Sequence, residues 1–438
     1  MTEAWDRVWP RAVRIEGNGQ AIVRWAGLGL ASCLDQAAVS GTSFAVNVLL
    51  ARWLPPAQYG AFSVAFALFL LVSGFHNALV VDPACVLGPA RFSAELPRYF
   101  QRLVVVHGAW CVAASLVVAG AALATPGVML RQAFYGLAIA LPFLLLLWLV
   151  RRLCYVQGRP AAALVSSVAQ TPFAIGGMYG LRHWGTPSPL TAFLVMAAAS
   201  LAASAIIWSG LGLARGWTGV GRQSCVALAR AHWSYGRWLT VTSWLTLGVM
   251  QLQTFLIAGF VGLEKAGAFR AMFNLVQPMN QVIVAAALLF QPNMSADFAA
   301  GRTEGLRAKG ALITAGLVGL SAAYELVLVF FGGGLAHLLY GVRFSAYQWL
   351  IPILGLMPTL VALGTGRSLV LQAVQKPQHH LIRGLVTGPA GILSAVALTS
   401  WAGLGGAAAS TVLTLAVSAL MTTWLYRHYA LGERRIGT

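Results

Sequence analysis

Apolar residues run along this chain in long, unbroken stretches separated by short polar clusters. They show neither the alternation of a half-buried strand nor the stripe of a water-soluble amphipathic helix. An α-helix needs about 20 mostly apolar residues to cross the hydrocarbon of a bilayer. Twelve such stretches can be drawn, centred near residues 40, 71, 112, 141, 170, 200, 249, 280, 320, 358, 391 and 414. Continuous runs without a period of two favour helices over a barrel. The pattern therefore predicts an all-α polytopic membrane protein with about 12 transmembrane helices.

Two of the polar interruptions read alike. Residues 49–72, LLARWLPPAQYGAFSVAFALFLLV, and residues 256–276, LIAGFVGLEKAGAFRAMFNLV, each set a turn and a cation between apolar runs. A shift of 207 positions pairs Ala51 with Ala258, Gly60 with Gly267, Ala61 with Ala268, Phe62 with Phe269, Phe66 with Phe273 and Leu68 with Leu275. A weaker echo joins QGRP at 157–160 with QKP at 375–377. Six spans, an even number, separate the copies, so the two six-helix lobes form a parallel pseudo-repeat about an axis along the membrane normal. The expected domains are an interfacial or cytoplasmic segment (1–23), an amino-terminal lobe (24–214), a basic cytoplasmic linker (215–237), a carboxy-terminal lobe (238–427) and a cytoplasmic tail (428–438). The linker carries Arg215, Arg222, Arg230 and Arg237 among tryptophans, and reads either as a simple basic loop or as a short amphipathic helix on the membrane surface.

Composition supports lipid as the second solvent. Hydrophobic residues make up 58% of the chain and charged ones 9%, against roughly a quarter charged in soluble domains. The net charge of +18 could suggest nucleic acid, but the placement of the charges excludes it. With both termini inside, only Arg52, Arg131, Arg182, Lys265, Arg270 and Arg343 of the 29 Lys and Arg fall at or near the outer side. That asymmetry is the positive-inside rule, and it describes topology and attraction to anionic lipid headgroups. No cleavable signal segment is expected, because the first apolar run follows more than about 20 mixed residues and continues into the body of the protein. Cys33, Cys85, Cys111, Cys154 and Cys225 match no zinc or redox spacing and read as core or interfacial thiols.

Polar groups at span depth are costly, so they carry the information. On the eighth span Arg270, Asn274, Gln277 and Gln281 lie at offsets that place all four within about 60° of one another. Pro278 beside them can bend the helix. The stripe reads either as an anion-binding wall or as interhelical hydrogen bonding with an arginine that snorkels to the outer interface. On the first span Arg24, Asp35 and Thr42 share a face; Asp35 can hold a proton or pair with an arginine. Thr314, Ser321 and Glu325 make a similar line on the ninth span, and Glu325 is a second candidate for proton or ion coupling. Arg367 in GTGRS is a substrate contact or an interfacial anchor, and Thr242, Thr246 and Gln253 share a face of the seventh span, with Gln253 a candidate substrate contact. His76 and Asn77 are polar within the second span, where a packed hydrogen-bond donor is the commoner role. The chain carries no P-loop, no cluster at metal-ligand spacing and no acidic pair or large loop outside, so neither catalysis nor a bound cofactor or metal is expected.

With its turn ARWLPPAQYGAFS, the stretch LLARWLPPAQYGAFSVAFALFLLVSGFHNALV resembles the first hairpin of the polysaccharide transporter branch of the multidrug/oligosaccharidyl-lipid/polysaccharide flippase superfamily. AGFVGLEKAGAFRAMFNL is similar to the matching turn of the second half. The resemblance implies two lobes arranged as a V around a central cationic cavity. It implies a flippase of the bacterial inner membrane that moves an undecaprenyl-diphosphate-linked oligosaccharide from the cytoplasmic to the outer leaflet by alternating access. A polysaccharide polymerase and export machinery would be its partners. Arg270, Asn274, Gln277 and Gln281 then suit pyrophosphate and sugar hydroxyls. Moving about two negative charges outward against 100 mV, inside negative, gains roughly 4 to 5 kcal/mol. The amino-terminal lobe departs from this scheme by offering chiefly Arg24 as a cavity cation. The rival readings are a drug or metabolite antiporter of the same superfamily and a non-transporting subunit of a glycan-synthesis complex.

Overall fold

The computed structural model describes residues 19–214, 217, 220–243, 248–299, 302–374 and 378–431. Among them the chain is helical throughout, with no strand. The main helices are α1 (Gly19–Trp53), α2 (Pro56–His76), α3 (Asp82–Arg91), α4 (Leu96–Ala124), α5 (Val128–Val156), α6 (Pro160–Trp184) and α7 (Pro189–Trp208). They continue with α8 (Arg222–Ser243), α9 (Val249–Phe260), α10 (Leu263–Ala299), α11 (Thr303–Tyr340), α12 (Leu350–Ala373) and α13 (Gln378–Leu431). A π-helical segment, Asn77–Val81, joins α2 to α3, so these three elements make one span. α13 contains two spans, broken at Gly403 where φ is 56°. Nine helical stretches among the described residues are long and apolar enough to cross a membrane. The two arms of α13 hold the last two of the twelve apolar centres that the sequence predicts, while α1 and α9, at the first and seventh centres, are not among the nine.

The chain divides into two compact units, Met1–Val46 with Leu68–Trp244, and Asn47–Ala67 with Leu245–Thr438. The division differs from a cut at the linker. The turn end of the first hairpin groups with the second unit, and α8, most of which lies in the expected linker, belongs to the first.

In the first unit Tyr99, Phe100, Leu103, Leu149, Val150, Leu153 and Ile207 form a buried core, which Leu228 of α8 joins. α8 turns Leu228, His232 and Gly236 inward at a spacing of four, and leaves Arg230, Trp233, Arg237 and Trp238 exposed. Its close approach is at Gly236, where a Cβ would stand 2.4 Å from the Ala78 carbonyl oxygen in the π segment. His232 accepts from or donates to the Tyr99 hydroxyl at 3.0 Å, and its Nδ1 lies 3.3 Å from the Leu79 carbonyl. Since only an N–H can bond that carbonyl, Nδ1 donates and Nε2 accepts from Tyr99. Burial pushes the His232 imidazole down to about 4.

In the second unit the repeat-related segments pack on each other. A Cβ at Gly267 would stand 2.9 Å from the Gly60 nitrogen, and one at Gly60 would collide with the Leu263 carbonyl at 1.7 Å. Each segment then stacks its own pair of rings one turn on, Phe62 on Phe66 at 5.8 Å and Phe269 on Phe273 at 6.3 Å. The same device holds α11 to α12, where a Cβ at Gly366 would lie 2.2 Å from the Gly310 carbonyl. In lipid, where hydrocarbon gains nothing by leaving the solvent, such close backbone approach is how helices associate. The exposed cation of residues 49–72, Arg52, donates to the Leu338 carbonyl at 3.3 Å, and Arg343 bonds the Leu54 carbonyl, so both secure the turn end of the hairpin.

Candidate functional site

Arg270 lies seven residues into α10, about 10 Å from its first residue. Its guanidinium carbon sits 5.2 Å from the Phe66 ring centre and 6.0 Å from that of Phe273. Phe273 follows one turn later on the same helix. Cation–π attraction is strongest where water is scarce, and here it replaces an acid: no carboxylate pairs with Arg270 among the described residues. Its Nε is sealed from solvent without a hydrogen-bond acceptor. The Tyr59 and Tyr340 hydroxyls lie within electrostatic range of it.

The rest of the stripe divides in two. Asn274 is buried and donates to the Tyr59 hydroxyl at 3.1 Å, while the Tyr340 hydroxyl donates to the Ala271 carbonyl at 3.0 Å. These bonds fix the wall behind Arg270. Gln277 and Gln281 are partly buried and make no hydrogen bond to another described residue. Arg270, Gln277 and Gln281 thus present unspent donors along one face, spanning about 16 Å at 1.5 Å per residue. That reach suits a phosphate group followed by sugar hydroxyls, to which planar guanidinium and amides bond readily.

The other sequence candidates are engaged elsewhere. Asp35 accepts from Arg151 through Nη2 at 2.7 Å and Nε at 3.3 Å, from the Tyr155 hydroxyl at 2.7 Å, and from Ser167. With its side chain 2% exposed, it is an ion pair inside the first unit whose lone pairs are all addressed. Gln253 bridges two helix arms, donating to Thr399 at 3.0 Å and accepting from Ser410 at 3.1 Å. Arg367 donates to the Leu363 carbonyl and to Thr423, each at 2.9 Å. Glu325 accepts from Thr359 at 3.3 Å. Thr42 meets Thr171 at 2.6 Å. The side chains of Arg24 and Thr242, and all of Thr246, lie outside the described residues. Sequence reading alone misses Phe66, Tyr59 and Tyr340 around Arg270 and Arg151, Tyr155 and Ser167 around Asp35. The one available signal was the repeat, which pairs Phe66 with Phe273 and so places an aromatic at both walls.

No protein-family model and no curated protein sequence matches the chain. Solved structures do match in fold. A multidrug resistance MATE family transporter of the MOP superfamily, inward-facing, superposes with a TM-score of 0.74 at 12% identity over 93% of this chain and 100% of the other. The lipid II flippase MurJ, in an inward closed conformation, gives 0.68 at 10% identity over 91% and 86%. A MOP superfamily transporter from Pyrococcus furiosus gives 0.62 at 12% identity over 94% and 96%. The chain shares the all-helical fold of these transporters.

Proposed function

We propose that this protein is a flippase that carries an undecaprenyl-diphosphate-linked oligosaccharide repeat unit from the cytoplasmic to the periplasmic leaflet of a bacterial inner membrane. It works by alternating access, with both termini cytoplasmic, and supplies a polysaccharide polymerase and export machinery that build a surface glycan of O-antigen or exopolysaccharide type. The observation that carries this reading is Arg270, a guanidinium with no acid partner among the described residues, set against the Phe66 and Phe273 rings and continued by Gln277 and Gln281. An uncompensated cation within a span is expensive and calls for an anionic ligand. The likeness to a lipid II flippase supports the substrate class.

The likeness to MATE transporters favours a second reading, a drug or metabolite antiporter. A cationic cargo would need an acid at span depth; Asp35 is already bonded to Arg151, and Glu325, held among the described residues only by Thr359 at 3.3 Å, is the acid on which this reading would rest. The deciding experiment follows lipid-linked oligosaccharides in a deletion strain. Trapping on the cytoplasmic leaflet with loss of surface glycan is expected, and Arg270→Ala should fail to restore export although the protein accumulates. Normal translocation with altered drug tolerance would move the assignment to the antiporter.

A further inference from the structure

The turn between α5 and α6 is the QGRP segment of the sequence, and it has no part in the Arg270 site. Gly158 takes φ 68° there, a conformation open to glycine. Arg159 is exposed, and its Nη1 donates to the Gly210 carbonyl at 3.0 Å, just past the end of α7. Beside that bond a cavity of about 520 Å³ opens, lined in part by Leu28 of α1, Cys154 of α5, Val165 of α6 and Ile206 of α7. All of its walls belong to the first unit. Its volume lies within the roughly 300 to 1,000 Å³ of ligand sites.

The lining is divided by depth. Its polar side chains, Gln157, Arg159 and Ser209, gather at the turn, whereas the rest is apolar and reaches Val165, about 9 Å along α6 from Arg159. Val165 and Ile206 are 55% and 46% exposed although both lie within spans, so the cavity is flanked by side chains that meet hydrocarbon. A slot of that kind takes an apolar chain and excludes water. The charge at its polar end has one sign. Arg159 spends one N–H of its five on Gly210, an uncharged partner that leaves the cation uncompensated. Its charge acts on Cys154 in the cavity wall. Asp35 also acts on Cys154, but it is already paired with Arg151, and no acid lines the cavity.

We infer that this cavity is a binding site for one phospholipid of net negative charge, of the phosphatidylglycerol class. One acyl chain lies along Val165 and Ile206, and the phosphate meets Arg159. The guanidinium suits a phosphate through its remaining N–H groups. A zwitterionic lipid brings an ammonium as well, for which the lining supplies no acid and Arg159 supplies repulsion. Basic pockets between helices at an interface hold anionic headgroups in this way. The site goes beyond the flippase reading and does not depend on what is transported.

The test uses the purified full-length chain in phosphatidylcholine nanodiscs doped with phosphatidylglycerol that carries a photoactivatable diazirine on one acyl chain. After illumination, labelled peptides are mapped by mass spectrometry. Labelling should concentrate in residues 157–165 and 206–211, and unlabelled phosphatidylglycerol should compete at least fivefold better than added phosphatidylcholine. Arg159→Gln should cut the labelling there at least fivefold, and Ala162→Phe, which narrows the cavity, should do the same. Arg159→Lys keeps the charge and should retain at least half, which separates loss of charge from misfolding. Labelling that is uniform over the spans, equal competition by the two lipids, or equal labelling of wild type and Arg159→Gln overturns the site. Displacement by undecaprenyl phosphate at lower concentration than by phosphatidylglycerol also overturns it, and would make the cavity an entrance for an isoprenyl lipid. Because the readout needs no export, the Arg270→Ala result and this one can fail separately.

Discussion

At the residue scale, Arg270 is a cation whose neighbours are π faces and hydroxyls instead of acids. Planarity matters in such a clamp, because a guanidinium stacks and donates a fork of N–H groups while an ammonium does neither. Arg270→Lys should therefore lose most of the transport that Arg270→Ala loses, in a glycan-export assay normalised to protein in the membrane. Loss of a charge-assisted hydrogen bond worth about 1.5–3 kcal/mol predicts a 10- to 100-fold rise in the half-saturating substrate level. Asp35 makes the opposite case. Its pair with Arg151 is buried, and removing one partner of such a pair costs about 3–5 kcal/mol. Asp35→Asn should lower the melting temperature of the purified protein, and Asp35→Asn with Arg151→Met should recover much of it. A variant that keeps full stability but loses the pH dependence of transport would instead mark Asp35 as a proton carrier.

At the element scale, the hairpin ends are held by glycines with no space for a side chain. Gly60→Ala places a methyl 1.7 Å from the Leu263 carbonyl oxygen, and relief requires the helices to part. A destabilisation of about 3 kcal/mol or more is expected. Gly259→Ala, where nothing lies within 4 Å of the added Cβ, should be nearly neutral in the same thermal melt. The docking of α8 depends on pH through His232. Its imidazole is neutral when buried, at about 4 against an ordinary value near 6.5, so an undocked helix binds the proton more readily. Docking is then fully stabilised above about pH 6.5 and weakens as pH falls towards 4, by up to about 3 kcal/mol. Amide hydrogen exchange in 222–243, corrected for its intrinsic pH dependence, should rise over that window in the wild type and not in His232→Gln. The sequence showed a basic, tryptophan-bearing segment here, but the choice between loop and helix turned on His232 and Gly236 finding a π-helical partner.

At the scale of the whole molecule, the proposed substrate bears two negative charges, and on that reading the membrane potential drives its movement. About 2.3 kcal/mol per charge per 100 mV corresponds, for two charges, to a shift on the order of a thousandfold in the equilibrium distribution between leaflets. Proteoliposomes with a potassium diffusion potential should show that bias, reversing with the sign of the potential. A distribution indifferent to potential would mean that the charges are neutralised in transit, by counter-ions or protons carried along. Reporter fusions at residues 1 and 438 should both report the cytoplasm, as the asymmetry of Lys and Arg predicts.

Much of this was legible in the chain itself. Composition and the unbroken apolar runs determined an all-helical membrane protein, because hydrocarbon leaves the backbone no other open-chain solution. The repeat of Gly60, Phe62 and Phe66 in Gly267, Phe269 and Phe273 determined that two hairpins would be built alike. Helical periodicity put Arg270, Gln277 and Gln281 on one face. Only the tertiary structure decided which polar residues were already spent. Asp35 found Arg151, 116 positions away, and Gln253 found Thr399, 146 away, leaving each engaged. Arg270 found rings where an acid would have neutralised it. Periodicity orders neighbours within one helix, whereas the partner that silences or exposes a buried polar group comes from another helix, whose approach is set by packing.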